Sequence, residues 1–334
     1  DGFNHSLHVS DGKTWSDGVT TGMAADDYCS FFFNPFRKKW CFSIKRGTVR
    51  GRSRYYHESD DFMKGAAWDR SVFWTSTDRL DEAELDGRYP GAGDAPQLYS
   101  LNAVAYESLM VGMHYIHRGP KNEVCDAGKF PKLVDLELGF SRDGFHWDRP
   151  DRSGFISGSR REGAWDRAYL HGAAGVFVVK DDELVFPYMG TSGVAPSGAR
   201  GMYTGGSIGL AILRRDGFAS MDGPGELLTR PLRFSGTHLF VNLRGSLQVE
   251  ALDSDGRVVE VSTTVSGDGT RMKVPMERLS ALVGKPMTFR FRVLSGSLFS
   301  FWVTRDADGA SFGYVGAGGP AFSGTVDDGG GVGK

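Results

Sequence analysis

Short apolar runs broken by turn residues fill the first two thirds of the chain, and no long segment keeps a helical period. Several of these runs share an ending. Ser10-Asp11-Gly12-Lys13-Thr14-Trp15, Ser59-Asp60-Asp61-Phe62, Ser141-Arg142-Asp143-Gly144-Phe145-His146-Trp147 and Arg215-Asp216-Gly217-Phe218 each follow a strand with an Asp-centred turn and then an aromatic. Asp-Gly suits such a turn because glycine accepts positive φ and the Asp carboxylate can take the N–H groups ahead of it. The aromatic is placed to fill the gap between neighbouring sheets. Units too small to bury their own faces, repeated at intervals of tens of residues, predict a radial array, and a four-stranded propeller blade fits them best. Unrelated hairpins are the alternative.

The same pattern sets the expected elements. One blade runs from about 26 to 68, with strands over 29–34, 40–44 and 52–58 and a turn over 34–39. A loop rich in Asp, Glu, Gly and Pro covers 78–96. The next blade starts near Tyr99, holds the apolar run 104–116 and closes at Trp147. A further blade spans 165–218, with strands near 173–179, 184–189 and 208–213 and a Gly- and Ser-rich loop, 191–206, over one face. After Pro224 the pattern becomes strict alternation with tight Asp-Gly and Ser-Gly turns, which predicts a β-sandwich. The segment 276–283 reads as one short helix or a turn. The expected organisation is therefore all-β: a five-bladed β-propeller over 1–224, incomplete at its N-terminus, a β-sandwich over 225–317 and a disordered Gly-rich tail over 318–334. The incompleteness is read from the first fifteen residues, which resemble the outer strand and turn of a blade lacking its inner strands. Residues 1–20 are then expected to pair with the last blade before Pro224 or to leave an open ring.

Composition agrees with β structure, with 47 Gly, 23 Phe, 11 Tyr and 7 Trp in 334 residues. A formal net charge of -2, from 39 basic and 41 acidic residues, argues against nucleic acid or an anionic membrane as partner. The basic group Lys45, Arg46, Arg50, Arg52 and Arg54 is local and reads as a solvated strand edge rather than a polyanion site. Cys29, Cys41 and Cys125 form no metal pattern and no disulfide framework, and buried free thiols are expected. The sequence carries no signal-peptide or transmembrane pattern, so localisation follows the parent chain: secreted or periplasmic if that carries a signal peptide, otherwise cytoplasmic. Nothing in the pattern specifies an oligomeric state.

The run Asp27-Tyr28-Cys29-Ser30-Phe31-Phe32-Phe33-Asn34-Pro35-Phe36-Arg37-Lys38-Lys39-Trp40 resembles uncharacterised five-bladed propeller proteins related to glycoside hydrolase families 32 and 43. Thr77-Asp78-Arg79-Leu80-Asp81, Gln97-Leu98-Tyr99 and above all Ala105-Tyr106-Glu107-Ser108-Leu109-Met110 extend the resemblance, which covers most of residues 8–300. It implies a propeller followed by a sandwich, and a glycoside hydrolase acting on a furanoside or related glycan. Relatives tend to carry Asp where this chain has Asn102, and the signatures of the well-studied hydrolase families are not plainly present.

Glycoside hydrolysis needs two carboxyls flanking the bond, and propellers of this kind place their site at the axis, where the innermost strands begin. Asp27 opens one such strand and Glu107 falls within the apolar run of the next. Apolar company would raise the pKa of Glu107 and suit it to act as general acid, with Asp27 as base or nucleophile. The structural alternatives are a turn cap for Asp27 and an arginine pair, such as Arg79, for Glu107. Asp166 is the third candidate acid. Asp78, Arg79, Asn102, Tyr106, Arg167 and His171 are expected to contact an oligo- or polysaccharide, and Trp74 and Tyr99 are further aromatics able to stack on a sugar. No cofactor or metal is expected, since His114 and His117, at i and i+3 on a strand, would face opposite ways. Two other functions stay open: a carbohydrate-binding propeller without catalysis, and a sialidase, for which Arg79 and Arg167 would need a third arginine.

Overall fold

The computed structural model describes residues 2–89 and 91–329, and the chain is all-β, with 46% strand against 6% helix. Two compact units are distinguished: the residues up to Phe177 with Phe186–Ala211, and Val178–Val185 with the residues from Ile212 onward. No helix among the described residues is long and apolar enough to cross a membrane.

The first unit opens with a two-stranded pair, β1 (Ser6–Leu7) and β2 (Val19–Thr20), continued by a Phe3–Ala25 bridge. Leu7 and Ala25 bury against Phe42, Ile44 and Trp68. Residues 3–25 thus pair with one another and pack on the sheet that follows them, not on the last sheet before Pro224. That sheet is an antiparallel meander of β3 (Ser30–Asn34), β4 (Lys39–Thr48), β5 (Gly51–Ser59) and β6 (Val72–Thr75). Its fourth strand lies beyond Trp68, where the blade was expected to close, because two 3-10 turns over 63–70 intervene.

A second ladder joins β7 (Gln97–Glu107), β8 (Leu109–His117) and β9 (Val134–Ser141), with α1 (Asn122–Gly128) between the last two. The run 104–116, expected to be continuous, is a hairpin that reverses at Glu107-Ser108, with Tyr106 opposite Leu109. Next come β10 (Ala168–Gly172), β11 (Val178–Lys180), β12 (Glu183–Thr191) and β13 (Gly206–Arg214), in the order β10-β12-β11 with β13 also on β12. Of the strand expected over 173–179, 178–179 falls in β11, while 173–177 form the connection from β10 to β11. Strand β3 lies beside β7, and β10 lies beside β8 and β9.

The repeated turn behaves as its residues require. In the first copy, the Asp11 carboxylate accepts the N–H groups of Lys13 and Thr14, both at 2.8 Å. In the third, Asp143 accepts those of Phe145 (2.9 Å) and His146 (2.8 Å). Gly12 and Gly144 take φ of 87° and 74°. In the fourth copy the positive φ moves to Asp216, at 55°. Phe145 fills a gap between sheets as expected: it meets Tyr56 and Trp74 of the preceding sheet, whose Trp74 indole donates to its carbonyl at 2.7 Å. A buried ion-pair network holds Asp81 and Glu84 of the loop that follows β6. Arg118 bonds Asp135 and Glu137, Arg149 bonds Glu137 and Asp81, and Arg160 bonds Asp135 and Glu84.

In the second unit, β14 (Met221–Asp222), β15 (Gly225–Leu228), β16 (His238–Leu252), β17 (Val258–Val261), β18 (Val265–Val274) and β19 (Thr288–Thr304) join one hydrogen-bonded six-stranded sheet, bent so that Phe291 and Phe301 of β19 meet at 4.6 Å. Strands β16 and β19 pair along their whole length and bury Leu239, Val241, Leu247, Val249, Phe289 and Phe291 on one face. Residues 318–329, expected to be disordered, are tied down. Asp327 is buried and pairs with Arg215 at 3.0 Å, Val326 bridges Tyr314, and the Gly318 carbonyl accepts from Val179. A buried carboxylate with an arginine offsets the entropy of ordering so much glycine. Residues 330–334 of the expected tail lie outside the described residues.

Candidate functional site

The first strands of the three successive sheets each bring a tyrosine to one place. Tyr28 sits just ahead of β3 at φ 62°. Tyr99 falls where the β7–β8 register slips between Leu98 and Ser100, and Tyr169, at φ 54°, where β10 slips against β12. Bulges re-aim side chains, and here they turn the rings toward one another. The Tyr28 and Tyr99 rings lie 5.2 Å apart, and the Tyr99 and Tyr169 hydroxyls share a 3.0 Å hydrogen bond. Tyr203, from the Gly- and Ser-rich loop, completes the group 5.5 Å from Tyr169. Arg54, fully buried, fixes the frame from below by donating to the carbonyls of Tyr28 (3.0 Å) and Tyr99 (3.1 Å) and to Ser43.

Cations converge on the same rings. Lys45 lies 4.5 Å over the Tyr99 ring, Arg52 5.5 Å and Lys132 5.2 Å. Lys132 is also 4.8 Å from Tyr169 and 5.4 Å from Tyr203. These are favourable cation–π distances. Lys45 is paired with Asp27. Lys132 donates to the Asn122 amide at 3.2 Å and has no carboxylate partner among the described residues. Burial first, and the Arg52 charge second, lower its pKa to about 8. The solvated strand edge expected of the basic group is therefore corrected: Lys45 and Arg54 stand opposite one another in the β4–β5 register and both face inward.

His171 lies within the cluster, 4.3 Å from the Tyr169 ring and 4.5 Å from Tyr28. It is 95% buried by exposure of only 5%, and neither ring nitrogen has a hydrogen-bond partner. Burial and then Lys132 hold its pKa near 3, so the imidazole is neutral. His117, stacked on Tyr99 at 6.2 Å, is in the same state. His114 faces away, against Trp147, as the strand period requires.

The expected residues divide between this cluster and other places. Asp27 is in the cluster, its side chain 57% exposed. Glu107 is not. It ends β7 at φ 48° in the hairpin turn, about eight residues and roughly 27 Å of strand beyond Tyr99. Hydrolytic carboxyls stand within about 10 Å of each other, so the expected Asp27–Glu107 pair is not formed. Tyr106, beside Glu107, is buried against Phe177 and offers no face to a sugar. Asn102 borders the cluster from below, its amide donating to Tyr115 (2.8 Å) and to the Ala173 carbonyl (3.4 Å). Both partners accept, which suits Asn and would disfavour a carboxylate.

Asp166 is half-buried ahead of β10, its carbonyl taking the Ser159 N–H, and Arg167 leans on Tyr89. Asp78 pairs with Arg152 at 3.0 Å, and exposed Arg79 lines a surface cleft with Arg50, Leu80 and Pro96. Arg79 and Arg167 thus sit in different surroundings, without the convergence a sialidase site needs. Lys45, Arg52, Lys132, Tyr169 and Tyr203 were not singled out as binding residues. A visible signal was the aromatic recurring about every 70 residues at the start of successive sheets.

No family model and no curated protein matches the sequence. Among solved structures, the chain is similar to a glycoside hydrolase family 43 arabinoxylan arabinofuranohydrolase from Bacillus subtilis in complex with cellotetraose, at 9% identity and a TM-score of 0.23, covering 87% of this chain and 56% of that one. It is also similar to a Bombyx mori GH32 beta-fructofuranosidase (10% identity, 90% and 76% covered, TM-score 0.26) and to a protein described as a glycoside hydrolase (13%, 86% and 92%, 0.31). The chain thus spans little more than half the length of the arabinofuranohydrolase. Likenesses this loose transfer no residue's role.

Proposed function

We propose that this protein binds an oligo- or polysaccharide at the tyrosine cluster of its first unit, without hydrolysing it. The observation that carries this reading is the composition of the cluster: four tyrosines from successive elements, two of them open to solvent (Tyr28 39% and Tyr203 61% exposed), beside the exposed carboxylate of Asp27. Exposed tyrosine faces stack on the apolar C–H faces of sugar rings, while phenol, carboxylate and ammonium groups hydrogen-bond their hydroxyls. The absence of Glu107 from the cluster separates this reading from hydrolysis through the Asp27–Glu107 pair.

The test is a glycan array followed by calorimetry on each hit, with Tyr28→Ala and Asp27→Asn variants. Binding without release of reducing sugar, weakened at least tenfold by Tyr28→Ala, supports the reading. Absence of any glycan ligand, or binding indifferent to Tyr28, overturns it.

One observation favours a second reading, hydrolysis of a furanoside or related glycan. Asp27 stands exposed beside Lys45 at the start of a first strand, where a base or nucleophile would stand. Its acid partner would then be a carboxyl other than Glu107, with Asp166 the remaining candidate. Release of reducing sugar that disappears in Asp27→Asn and persists in Glu107→Gln would establish this reading instead.

A further inference from the structure

We infer that the saccharide bound at the tyrosine cluster is acidic, and that its anionic group, a carboxylate or a sulfate, is held by Lys132 and Arg52. This deepens the binding reading given above and rests on it. Lys132 is 1% exposed and surrounded by three tyrosine rings, and its recorded hydrogen bond is to a neutral amide. Arg52 bonds Gln97 (2.9 Å) and the same Asn122 amide (3.5 Å). Neither cation meets a carboxylate among the described residues, whereas Asp27 is taken up by Lys45. A buried ammonium is disfavoured unless an opposite charge compensates it, and Asp27, the carboxylate whose field reaches Lys132, is already paired with Lys45.

His171 is the second, independent observation. It is buried among the same rings with both nitrogens unpartnered, so the cluster holds unused hydrogen-bonding capacity as well as unused positive charge. An orphaned polar group calls for a partner, and at His171 a bound ligand would supply it. Of the three rings over Lys132, Tyr203 alone is exposed, and it belongs to a loop with positive-φ glycines at 193, 198 and 205. Access to Lys132 on this side requires Tyr203, whose ring lies 5.4 Å from it, to rotate. A sugar ring stacked on Tyr28 or Tyr203 then carries its acidic substituent inward to Lys132 and Arg52, in a charge-assisted contact strengthened by low local dielectric.

The experiment compares three probes by calorimetry at fixed pH and ionic strength: oligogalacturonate, a sulfated galacto-oligosaccharide, and an uncharged galacto-oligosaccharide of the same length. The expected result is at least tenfold tighter binding of one acidic probe than of the neutral one, with that ratio falling to about one in Lys132→Met. Which acidic probe binds identifies the anion. If Lys132→Met fails to fold, Arg52→Gln is read the same way, with the ratio reduced at least threefold. Equal binding of neutral and acidic probes overturns this inference and leaves saccharide binding standing. Binding of none of the three overturns this inference; whether saccharide binding also falls is then decided by the glycan array.

Discussion

Replacing Lys132 by Met should stabilise the protein at neutral pH, which is unusual for a buried residue. The perturbation keeps the length of the side chain and removes its charge. Lowering the Lys132 pKa from 10.5 to about 8 corresponds to roughly 3 kcal/mol by which folding disfavours the ammonium. Against this stands the lost hydrogen bond to Asn122, worth about 1 to 2 kcal/mol. The net expectation is a gain of about 1 to 2 kcal/mol at pH 7. The pH dependence follows from the direction of the shift. Below about pH 8 folded and unfolded chains both carry the proton and the penalty is present in full. Between about 8 and 10.5 the folded protein sheds the proton first, so the stability of the wild type rises with pH. The gap between variant and wild type should therefore close across that window. Urea denaturation followed by tryptophan fluorescence at pH 7 and at pH 10 measures it, and all but Trp302 of the tryptophans report on the first unit. A variant less stable than the wild type at pH 7, or a gap that does not change with pH, would refute the assignment of Lys132 as an uncompensated buried cation.

Other substitutions probe the frame around the site. Arg54→Met leaves the carbonyls of Tyr28 and Tyr99 and the Ser43 side chain without their donor, and should cost more than about 3 kcal/mol in urea denaturation; a loss under 1 kcal/mol would mean that water replaces the guanidinium. Gly144→Ala should lower Tm more than Gly12→Ala. Both sites have positive φ, costing about 1 kcal/mol for alanine, but at Gly144 the added carbon would also meet the Asn34 amide at 2.5 Å, whereas Gly12 faces open space. Glu107→Gln should leave saccharide affinity within twofold of wild type by calorimetry, and a tenfold loss would return Glu107 to the site.

The turns were the most legible part of the chain, because Ser10-Asp11-Gly12 and Ser141-Arg142-Asp143-Gly144 carry their hydrogen-bonding groups in sequence order. Strand boundaries were less so. Nothing marks Glu107-Ser108 as a reversal: the turn holds no Gly, Asn or Pro, and Glu107 takes the positive φ itself. A carboxylate in apolar company therefore looked like an interior strand residue. At the site, Asp27 and His171 were legible because they lie just ahead of or within the first strands of their sheets, and their tyrosine neighbours recur at matching positions. Lys132 was not. It follows Pro131 in an irregular connection where no hydrophobic period operates, and only the fold brings it beneath Tyr99, Tyr169 and Tyr203. The Gly-rich segment 318–329 misled for the opposite reason, since its composition conceals the buried Asp327, which pairs with Arg215 and Arg271 and anchors it.

The central claim is that a saccharide binds on the tyrosine cluster, and a crystal structure of the protein with the tightest-binding oligosaccharide tests it most directly. The account predicts a sugar ring in van der Waals contact with Tyr28 or Tyr203, with a polar substituent within hydrogen-bond distance of Asp27 or Lys132. A saccharide bound instead at the Glu107 hairpin, or in the cleft beside Arg79, would contradict it.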